Sequence, residues 1–384
     1  MSDDTGLIEH AWFELPRRHC GYTVDDVARG LLVICREPQV ETTPRLVTLA
    51  ETYLDFLYHA LGSNGRFRNR MSYAREWLDE SESDDAHGRA LWALGAAARS
   101  APSAAMKRAA MRLFEAASRF DTPYSRANAY AILGAAKVHE TNPHNDHALM
   151  LLERCTTRLP GSRGSQQWPW PEPRLTYDNA RIPQSQLVAG ILTHNVSMVE
   201  EGLALLEWLV DVETRGSHFS FAPTRGWRRD EPRPGFDQQP LEAAAMVDAC
   251  VEAFWVTGDA AWTDLGMTAV RWFLGANDKN LSLYDESTGG CCDGLTANGV
   301  NENQGAESTL ACIAALQQAR RIDSMISDRL QGEQQVGFVN GGSANRAVGR
   351  PIGYIDSAVI KTVGAADKDD VIDITPPLPR QLGY

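Results

Sequence analysis

The sequence is a succession of apolar segments with helical periodicity, with hardly any β-branched alternating run that would indicate strands. There are twelve such segments, and they fall into six pairs joined by loops. The first helix of each pair begins near residue 25, 85, 126, 180, 240 and 305. This spacing of roughly 40 to 65 residues is longer and less regular than that of short-repeat solenoids. The sequence therefore predicts an all-α chain of six helical hairpins.

The two helices of each predicted pair differ in polarity. The first is dominated by Ala, Leu, Ile and Val, whereas the second keeps one polar face. This difference is expected if the first helices are buried on several sides and form an inner layer. Six hairpins wound into a ring would bury the inner helices against one another. Every long loop with chemically interesting side chains would then lie on one rim, at the N-terminal ends of the inner helices.

The charge and hydropathy of the chain argue against some kinds of binding partner. The formal net charge is −13, and no basic stripe offsets it, which argues against a nucleic-acid partner. No stretch approaches the roughly 18 to 20 apolar residues that a membrane span requires. The N-terminus carries two early aspartates and lacks the features of a signal peptide, so we expect a cytoplasmic protein.

After about residue 332 the helical period ends, and residues 332–384 are predicted to form an irregular extension to a domain of residues 1–331.

The loop WPWPEPRLTYDNAR, residues 168–181, concentrates aromatic, acidic and basic side chains. Its three prolines exclude a continuous helix. Stacking rings, acid/base groups and bidentate donors suit a sugar, which presents apolar faces, hydroxyl groups and an acid-labile bond. The alternative is a long packed loop whose tryptophans fill a gap between helices.

Polar side chains at the start of the inner helices are spaced to share a face. These pairs are Asp26 with Arg29, Asp85 with Arg89, Gln239 with Glu242, and Asn303 with Glu307. Helix capping is an alternative role for Asp25, Asp84 and Asp178, since an aspartate in the first turn complements the helix dipole. Capping explains Asp26, Glu242 and Glu307 less well, because each lies inside an apolar helix. A carboxylate buried there is costly unless it has an ionic or hydrogen-bonding partner or a functional role.

Histidines near the same rim support a different chemistry. His10, His19, His87 and His218 lie in or next to these loops, and epimerisation next to a sugar carbonyl uses a general base and acid near neutral pH. No metal-ligand spacing, phosphate-binding loop or dinucleotide fingerprint occurs, so the sequence predicts no metal and no cofactor.

Four blocks resemble a known family: residues 19–30 (HCGYTVDDVARG), 84–95 (DDAHGRALWALG), 168–184 (WPWPEPRLTYDNARIPQ) and 284–311 (YDESTGGCCDGLTANGVNENQGAESTLA). They resemble the six-hairpin glycosidase superfamily, and within it a bacterial group found alone or fused to glycosyltransferases. The resemblance spans about residues 6–320. It implies an (α/α)6 toroid, a carbohydrate substrate and possible association with a glycosyltransferase. The chain has no nucleotide-sugar fold of its own, so it should not be a sugar-nucleotide transferase.

Together these observations favour a glycoside hydrolase that acts on an oligosaccharide through paired carboxylates. The candidate catalytic residues are Asp26, Glu172, Asp178 and Glu307, with Asp26 and Glu172 preferred as the acid and base. The candidate substrate-binding residues are Arg29, His87, Arg89, Trp168, Trp170, Tyr177, Asn179, Arg181, His218, Trp227, Gln239, Glu242, Asp293 and Asn303. A sugar epimerase or isomerase of the N-acylglucosamine 2-epimerase type and a non-catalytic glycan-binding module remain as alternatives.

Overall fold

The computed structural model describes residues 1–79, 83–161 and 167–339, and for residues 327–339 it describes the backbone alone. Six helices form the inner layer: α1 (Val24–Arg36), α3 (Asp84–Ser100), α5 (Ser125–Thr141), α7 (Arg181–Leu192), α9 (Pro240–Thr257) and α11 (Ala306–Val339). Five helices form the outer layer: α2 (Pro44–Ala60), α4 (Ala104–Ala117), α6 (Asp146–Arg158), α8 (Val196–Glu213) and α10 (Ala261–Phe273). The prediction of an all-α chain is confirmed.

The inner helices form a closed ring. Each packs against the next, from α1 through α3, α5, α7 and α9 to α11, and α11 packs back against α1. Each of the first five inner helices also packs against the outer helix that follows it. Long stretches of the inner helices are buried all round, whereas an outer helix such as α4 buries a single stripe. The predicted inner and outer layers are therefore present.

Glycines allow the closest approach in the ring, between α3 and α5. A Cβ atom on Gly95 would lie 2.2 Å from the carbonyl oxygen of Gly134, and one on Gly134 would lie 2.4 Å from that of Leu91. Real Cβ atoms do not approach a carbonyl oxygen so closely, so any larger residue would push the two helices apart. These glycines fix the packing distance of this part of the ring.

Serine, threonine and asparagine side chains begin many of the helices. Thr23 caps α1 by accepting a hydrogen bond from the backbone N–H of Asp26, and Ser83 caps α3 in the same way through Ala86. Such caps satisfy N–H groups that have no partner within the helix. Because capping fixes where a helix starts, Thr23 also fixes where Asp26 and Arg29 point.

Short antiparallel pairs of strands lie in the loops. They are β1 (Ala11–Trp12) with β2 (Leu15–Pro16), β3 (Tyr22–Thr23) with β4 (Arg70–Met71), β5 (Thr214–Arg215) with β6 (His218–Phe219), and β7 (Gly294–Thr296) with β8 (Gly299–Asn301). The pairs β3–β4 and β7–β8 lie close to the N-terminal ends of inner helices, where they fix the course of the rim loops.

The predicted twelfth helix is not a separate element. The segment IDSMISDRLQ, residues 322–331, continues α11 without a break, so the described part of the chain has eleven α-helices and α11 has no outer partner of its own. The helix runs eight residues beyond the predicted domain boundary at residue 331, to Val339. Residues 340–384 lie outside the described part, and the predicted division into a domain and an extension stays a prediction. Among the described helices, none is long and apolar enough to cross a membrane.

Candidate active site

Two large cavities lie at opposite ends of the described ring, and a small one of about 40 Å³ between them is lined by residues that include Arg29, Arg89, Asp178, Arg181 and Glu307. The first has a volume of about 410 Å³ and lies at the N-terminal ends of α1, α9 and α11. We call it the rim cavity. Its lining includes Glu9, His10, Thr23, Asp25, Asp26, Arg29, Asn69, Arg70, Asp237, Gln238, Gln239, Asp293, Asn301, Glu307 and Ser308. Five residues predicted from the sequence as site residues therefore come together there, namely Asp26, Arg29, Gln239, Asp293 and Glu307.

The second cavity, at the C-terminal ends of the inner helices, is larger, at about 860 Å³. None of the predicted site residues lines it. Three of its lining carboxylates, Glu37, Glu140 and Asp248, bind basic side chains of the same wall, and Glu41 and Glu252 also line it. The rim cavity is the better candidate for an active site, because the residues predicted from the sequence converge there.

Arg29 organises the carboxylates of the rim cavity. Its Nη1 donates a hydrogen bond to Asp26 Oδ1 at 2.9 Å, and its Nη2 lies 2.7 Å from Glu307 Oε2. The hydroxyl of Thr23 donates to Asp26 Oδ2 at 2.9 Å. Because both carboxylates contact one guanidinium, their bound oxygens are less than about 10 Å apart, and the separations of roughly 5 to 9.5 Å that glycosidases use lie below this limit. The arrangement joins α1 to α11 where the ring closes.

Asp26 lies in an environment that favours its protonated form. The residue is 4 % exposed. Burial is the largest effect on its carboxyl group; Arg29 opposes it, while Glu307 and Asp25 reinforce it, and together these effects raise the pKa of Asp26 to about 7. A carboxyl group with this pKa can both donate and accept a proton near neutral pH.

The N-terminal segment and two loops complete the cavity, and sequence reasoning did not select their residues Glu9, Arg70 and Asp237 as site residues. Arg70 binds Glu9 at 2.6 Å, and His10 Nε2 lies 3.6 Å from the same carboxylate. Asp293 accepts a hydrogen bond from the backbone N–H of Gly305 at 2.7 Å, and burial raises its pKa. Asp237 lies at the exposed edge. Glu9 and Asp237 have no helical spacing that could mark them in the sequence. Long-range contacts, which no local pattern encodes, bring them to the site.

Behind the rim cavity, ionised side chains form a chain across the ring. Arg89 Nε lies 3.0 Å from Asp25, and Arg89 Nη1 lies 3.1 Å from Asp178. Arg181 lies 3.2 Å from Asp178 and 2.6 Å from Asp248, which also binds Arg36 at 3.0 Å. We call these six residues the central ion-pair chain. Asp178, Arg89 and Arg181, predicted as site residues, belong to this chain and do not line the rim cavity.

Asp178 is held in an unusual backbone conformation. Its φ is +51°, in the left-handed region. Glu242 accepts hydrogen bonds from the backbone N–H of Asp178 and, at 3.1 Å each, from the backbone and side-chain N–H groups of Asn179. Burial, followed by the nearby Glu213 and Asp178 carboxyl groups, raises the pKa of Glu242 to about 8. Glu242 and Asn179 therefore fix this turn, and neither lines the rim cavity.

Glu172 lies outside the rim cavity. Both of its carboxylate oxygens accept hydrogen bonds from Arg126 Nη1, at 2.9 and 2.8 Å, and Arg126 Nη2 donates to Asn179 at 3.0 Å. The preferred pair of Asp26 and Glu172 is therefore not brought together at one cavity. Within the rim cavity, Glu307 takes the position beside Asp26 that the sequence analysis gave to Glu172.

This placement predicts a modest effect of the variant Glu172→Gln. Because Glu172 binds Arg126 rather than facing the rim cavity, we expect kcat on a cleaved oligosaccharide to fall by less than about 10-fold, whereas loss of a general acid or base typically costs 10²- to 10⁴-fold. Steady-state kinetics would measure this, with the melting temperature as a check on folding. A fall of several orders of magnitude in a folded variant would restore Glu172 to the catalytic pair.

The tryptophans of the WPWPEP loop pack against one another. The Trp168 ring is 5.1 Å from Trp208 and 5.3 Å from Trp227, in edge-to-face geometry, and Trp170 stacks on Trp208 at 6.0 Å. Trp168 and Trp170 are both buried. Tyr177 is 38 % exposed, and Arg126 lies over its ring. The structure thus places the rings of Trp168 and Trp170 against Trp208 of α8, where they act as packing.

The remaining predicted residues also lie away from the rim cavity. His87 is fully buried between Phe67 and Phe120, and burial lowers its pKa to about 3. His218 Nε2 lies 3.0 Å from Asp278. Asn303 Oδ1 accepts a hydrogen bond from the backbone N–H of Phe13 at 3.0 Å, which ties the N-terminal segment to the loop before α11. We therefore leave these three out of the proposed site.

Comparisons with known proteins identify the fold. No family model and no curated protein matches the sequence. Among solved structures, cellobiose 2-epimerase from Spirochaeta thermophila DSM 6192 matches with a TM-score of 0.62 at 12 % identity, over 84 % of this chain and 91 % of that one. A D-mannose isomerase matches with a TM-score of 0.57 at 12 % identity, over 84 % and 93 %. A GH76 α-mannanase from Bacteroides thetaiotaomicron matches with a TM-score of 0.54 at 10 % identity, over 80 % and 88 %.

The chain is an (α/α)6 toroid. This is the fold of the six-hairpin superfamily that the sequence blocks resemble. At these identities the comparisons establish the fold alone, and one fold can carry several chemistries. The function of the toroid must be argued from the side chains of the rim cavity.

Proposed function

We propose that this toroid is a carbohydrate-active enzyme that hydrolyses a glycosidic bond in an oligosaccharide bound in the rim cavity. One observation carries the proposal. Asp26 and Glu307 come from opposite sides of the ring closure and bind the two Nη atoms of a single arginine, Arg29, at the wall of a concave site. Paired carboxylates at a concave site are the machinery of glycoside hydrolysis.

The two carboxyl groups have different roles in the proposed reaction. Asp26, with its raised pKa, donates a proton to the leaving glycosidic oxygen. Glu307, held against Arg29, acts as the carboxylate on the other side of the bond. It either takes a proton from the attacking water or attacks the anomeric carbon itself, to be released by water in a second step. Arg29 orients both groups, so it is a positioning residue.

Gln239 and Asp293 are proposed to bind the sugar. Gln239 precedes α9 and lines the cavity, and Asp293 lines it from the loop before α11. Amide and carboxylate groups bind the hydroxyl groups of a sugar through directed hydrogen bonds. The cavity volume of about 410 Å³ lies within the usual range for small-molecule sites, so one or two sugar units can be enclosed.

Epimerisation of a free sugar is the second candidate function. It is favoured by the likeness to a cellobiose 2-epimerase and a D-mannose isomerase, and by His10 at the edge of the rim cavity. Removal and return of a proton next to a carbonyl needs a general base near neutral pH, which His10 or Asp26 can supply. It needs no second carboxylate, so the pair formed with Glu307 favours hydrolysis.

Product analysis of the purified protein tests the proposal and separates the two functions. We expect cleavage of an oligosaccharide in a panel of bacterial and plant glycans, with new reducing ends detected by chromatography. Interconversion of free sugars without cleavage would overturn hydrolysis in favour of epimerisation. Saturable binding without turnover of any sugar would indicate a glycan-binding module, and the catalytic roles given to Asp26 and Glu307 would be wrong.

A further inference from the structure

An exposed apolar hairpin, formed by β1 and β2, borders the rim cavity. The two strands pair Ala11 with Pro16 and Trp12 with Leu15. Trp12 is 63 % exposed, and Leu15, directly opposite it on the same face, is exposed as well. The exposed ring of Phe13 lies 5.9 Å from that of Trp12. Single exposed apolar side chains are common, whereas a contiguous group of them often marks an interaction site.

The strand pairing places Trp12 on the face of the hairpin that continues the cavity wall. The ladder extends to His10, whose carbonyl oxygen accepts a hydrogen bond from Arg17 N–H at 2.8 Å. Side chains two residues apart in an extended strand share a face, about 7 Å apart along the chain. His10 and Trp12 are both exposed, and Ala11 between them is buried, as this alternation requires. Since His10 lines the rim cavity, Trp12 follows it outward from the cavity edge.

The tip of the hairpin is bonded to another part of the cavity wall, the loop before α11. The backbone N–H of Phe13 donates to Asn303 Oδ1 at 3.0 Å, and its carbonyl oxygen accepts from Gln304 N–H at 2.9 Å. Asn303 and Gln304 lie between Asn301 and Gly305, which both line the cavity. The hairpin is therefore attached to the cavity wall at its start and at its tip.

Phe13 is held in a backbone conformation that its side chain disfavours. Its φ is +48°, in the left-handed region where turns usually have Gly, Asn or Asp. A bulky residue in this region costs free energy, and such residues cluster at functional sites. The turn thus keeps an aromatic ring beside Trp12 where a smaller residue would be less strained. Rings held in place in this way lose little freedom when a ligand binds.

We propose that this hairpin forms an outer sugar subsite, in which the indole of Trp12 stacks on a pyranose ring of an oligosaccharide that extends out of the rim cavity. This inference rests on the proposed function and adds that the substrate is longer than the cavity. A volume of about 410 Å³ encloses one or two sugar units, so further units must lie on its border. Tryptophan offers a large, rigid apolar surface to the C–H face of a sugar. Trp168 and Trp170 are buried and offer no such surface.

The length of the oligomer tests the subsite. Linear glucose and mannose oligomers, from the disaccharide to the hexasaccharide, would be assayed with the parent and with Trp12→Ala. On the hexasaccharide we expect Trp12→Ala to lower kcat/KM by about 10-fold, mainly through KM, because stacking holds the substrate and the transition state equally. A disaccharide enclosed by the cavity does not reach Trp12, so its kcat/KM should be unchanged.

Two further variants separate stacking from other causes. Trp12→Tyr keeps an aromatic face and should retain most of the parent's kcat/KM on the hexasaccharide. Trp255→Ala removes another partly exposed tryptophan, close to the C-terminal end of α9 and outside the lining of the rim cavity, and should leave the length preference unchanged. Since Trp12 is exposed, Trp12→Ala should keep the melting temperature of the parent.

The outcomes separate this inference from the proposed function. Cleavage that does not depend on oligomer length, or an equal loss on every length in Trp12→Ala, would overturn the inference and leave hydrolysis standing. If no oligomer is cleaved, calorimetric binding of a hexasaccharide that Trp12→Ala weakens would support the outer subsite and count against hydrolysis. Absence of both cleavage and binding would overturn the inference. So would a parent dimer that Trp12→Ala converts to a monomer with unchanged hexasaccharide kinetics, because the hairpin would then be a contact between two copies of the chain.

Discussion

Replacing Asp26 with asparagine is expected to lower kcat on a cleaved oligosaccharide by about 10²- to 10⁴-fold, the usual contribution of a general acid. Asparagine has nearly the same shape and can still accept the hydrogen bond that Arg29 donates at 2.9 Å. It has no acidic proton to give to the leaving oxygen. The loss should therefore appear in kcat rather than in KM, because substrate binding does not need that proton.

The pH dependence of the reaction provides an independent check on Asp26. Because the pKa of Asp26 is raised to about 7 and its protonated form is the active one, kcat/KM of the parent should fall as pH rises through about 7. Asp26→Asn should lose this alkaline limb. If the limb persists in the variant, another group is the acid. Asp211→Asn serves as the control, since it changes an exposed carboxylate that does not line the rim cavity.

Stability measurements can exclude unfolding as the cause. The pKa of Asp26 is higher in the folded chain than in the unfolded chain, so its favourable contribution to stability is present below the unfolded pKa and is lost as pH rises through about 7. Asparagine cannot ionise and carries no such penalty. We therefore expect Asp26→Asn to be at least as stable as the parent above pH 7, and its melting temperature below pH 7, where the parent is active, would show whether it is folded in the activity comparison.

The sequence predicted the inner ring well because the relevant signal is local. Apolar periodicity placed the inner helices near residues 25, 85, 126, 180, 240 and 305, and each begins within one residue of these positions. The twelfth helix was wrong for a local reason too. No glycine or proline separates Ala306 from residue 331, so a change in polarity near Arg321 was mistaken for a break in what is one continuous helix.

Of the five predicted residues that line the rim cavity, four are marked by helical spacing, and the fifth, Asp293, lies in the loop before α11. Asp26, Arg29, Gln239 and Glu307 lie at the N-terminal ends of inner helices, and the structure brings them to one cavity. The WPWPEP loop has a composition suited to a sugar site, but composition cannot tell a stacking wall from a packed interface. Glu9 reaches the cavity because its carbonyl oxygen accepts a hydrogen bond from Ala306 N–H at 3.0 Å, a contact that no local pattern encodes.

Replacing Asp248 with asparagine is expected to destabilise the fold by about 3–5 kcal/mol, the usual cost of removing one partner from a buried ion pair. Asp248 is 2 % exposed and bridges Arg181 and Arg36 in the central ion-pair chain. Arg36 donates to both of its oxygens, at 3.1 and 3.0 Å, and Arg181 donates to Oδ2 at 2.6 Å. The neutral amide would leave two guanidinium groups facing each other across the ring axis with no charge between them.

Acid unfolding should distinguish this role from simple packing. Burial opposes ionisation of Asp248, but Arg36 and Arg181 outweigh it and hold its pKa well below the ordinary range. Its contribution to stability is therefore present above the unfolded pKa of about 3.9 and is lost as pH falls below it. In chemical denaturation, the free energy of unfolding of the parent should fall more steeply below about pH 4 than that of Asp248→Asn. Equal slopes for parent and variant would mean that the central ion-pair chain does not stabilise the ring. A destabilisation by Asp248→Asn of less than about 1 kcal/mol at neutral pH would mean the same, because breaking a stabilising buried ion pair costs about 3–5 kcal/mol.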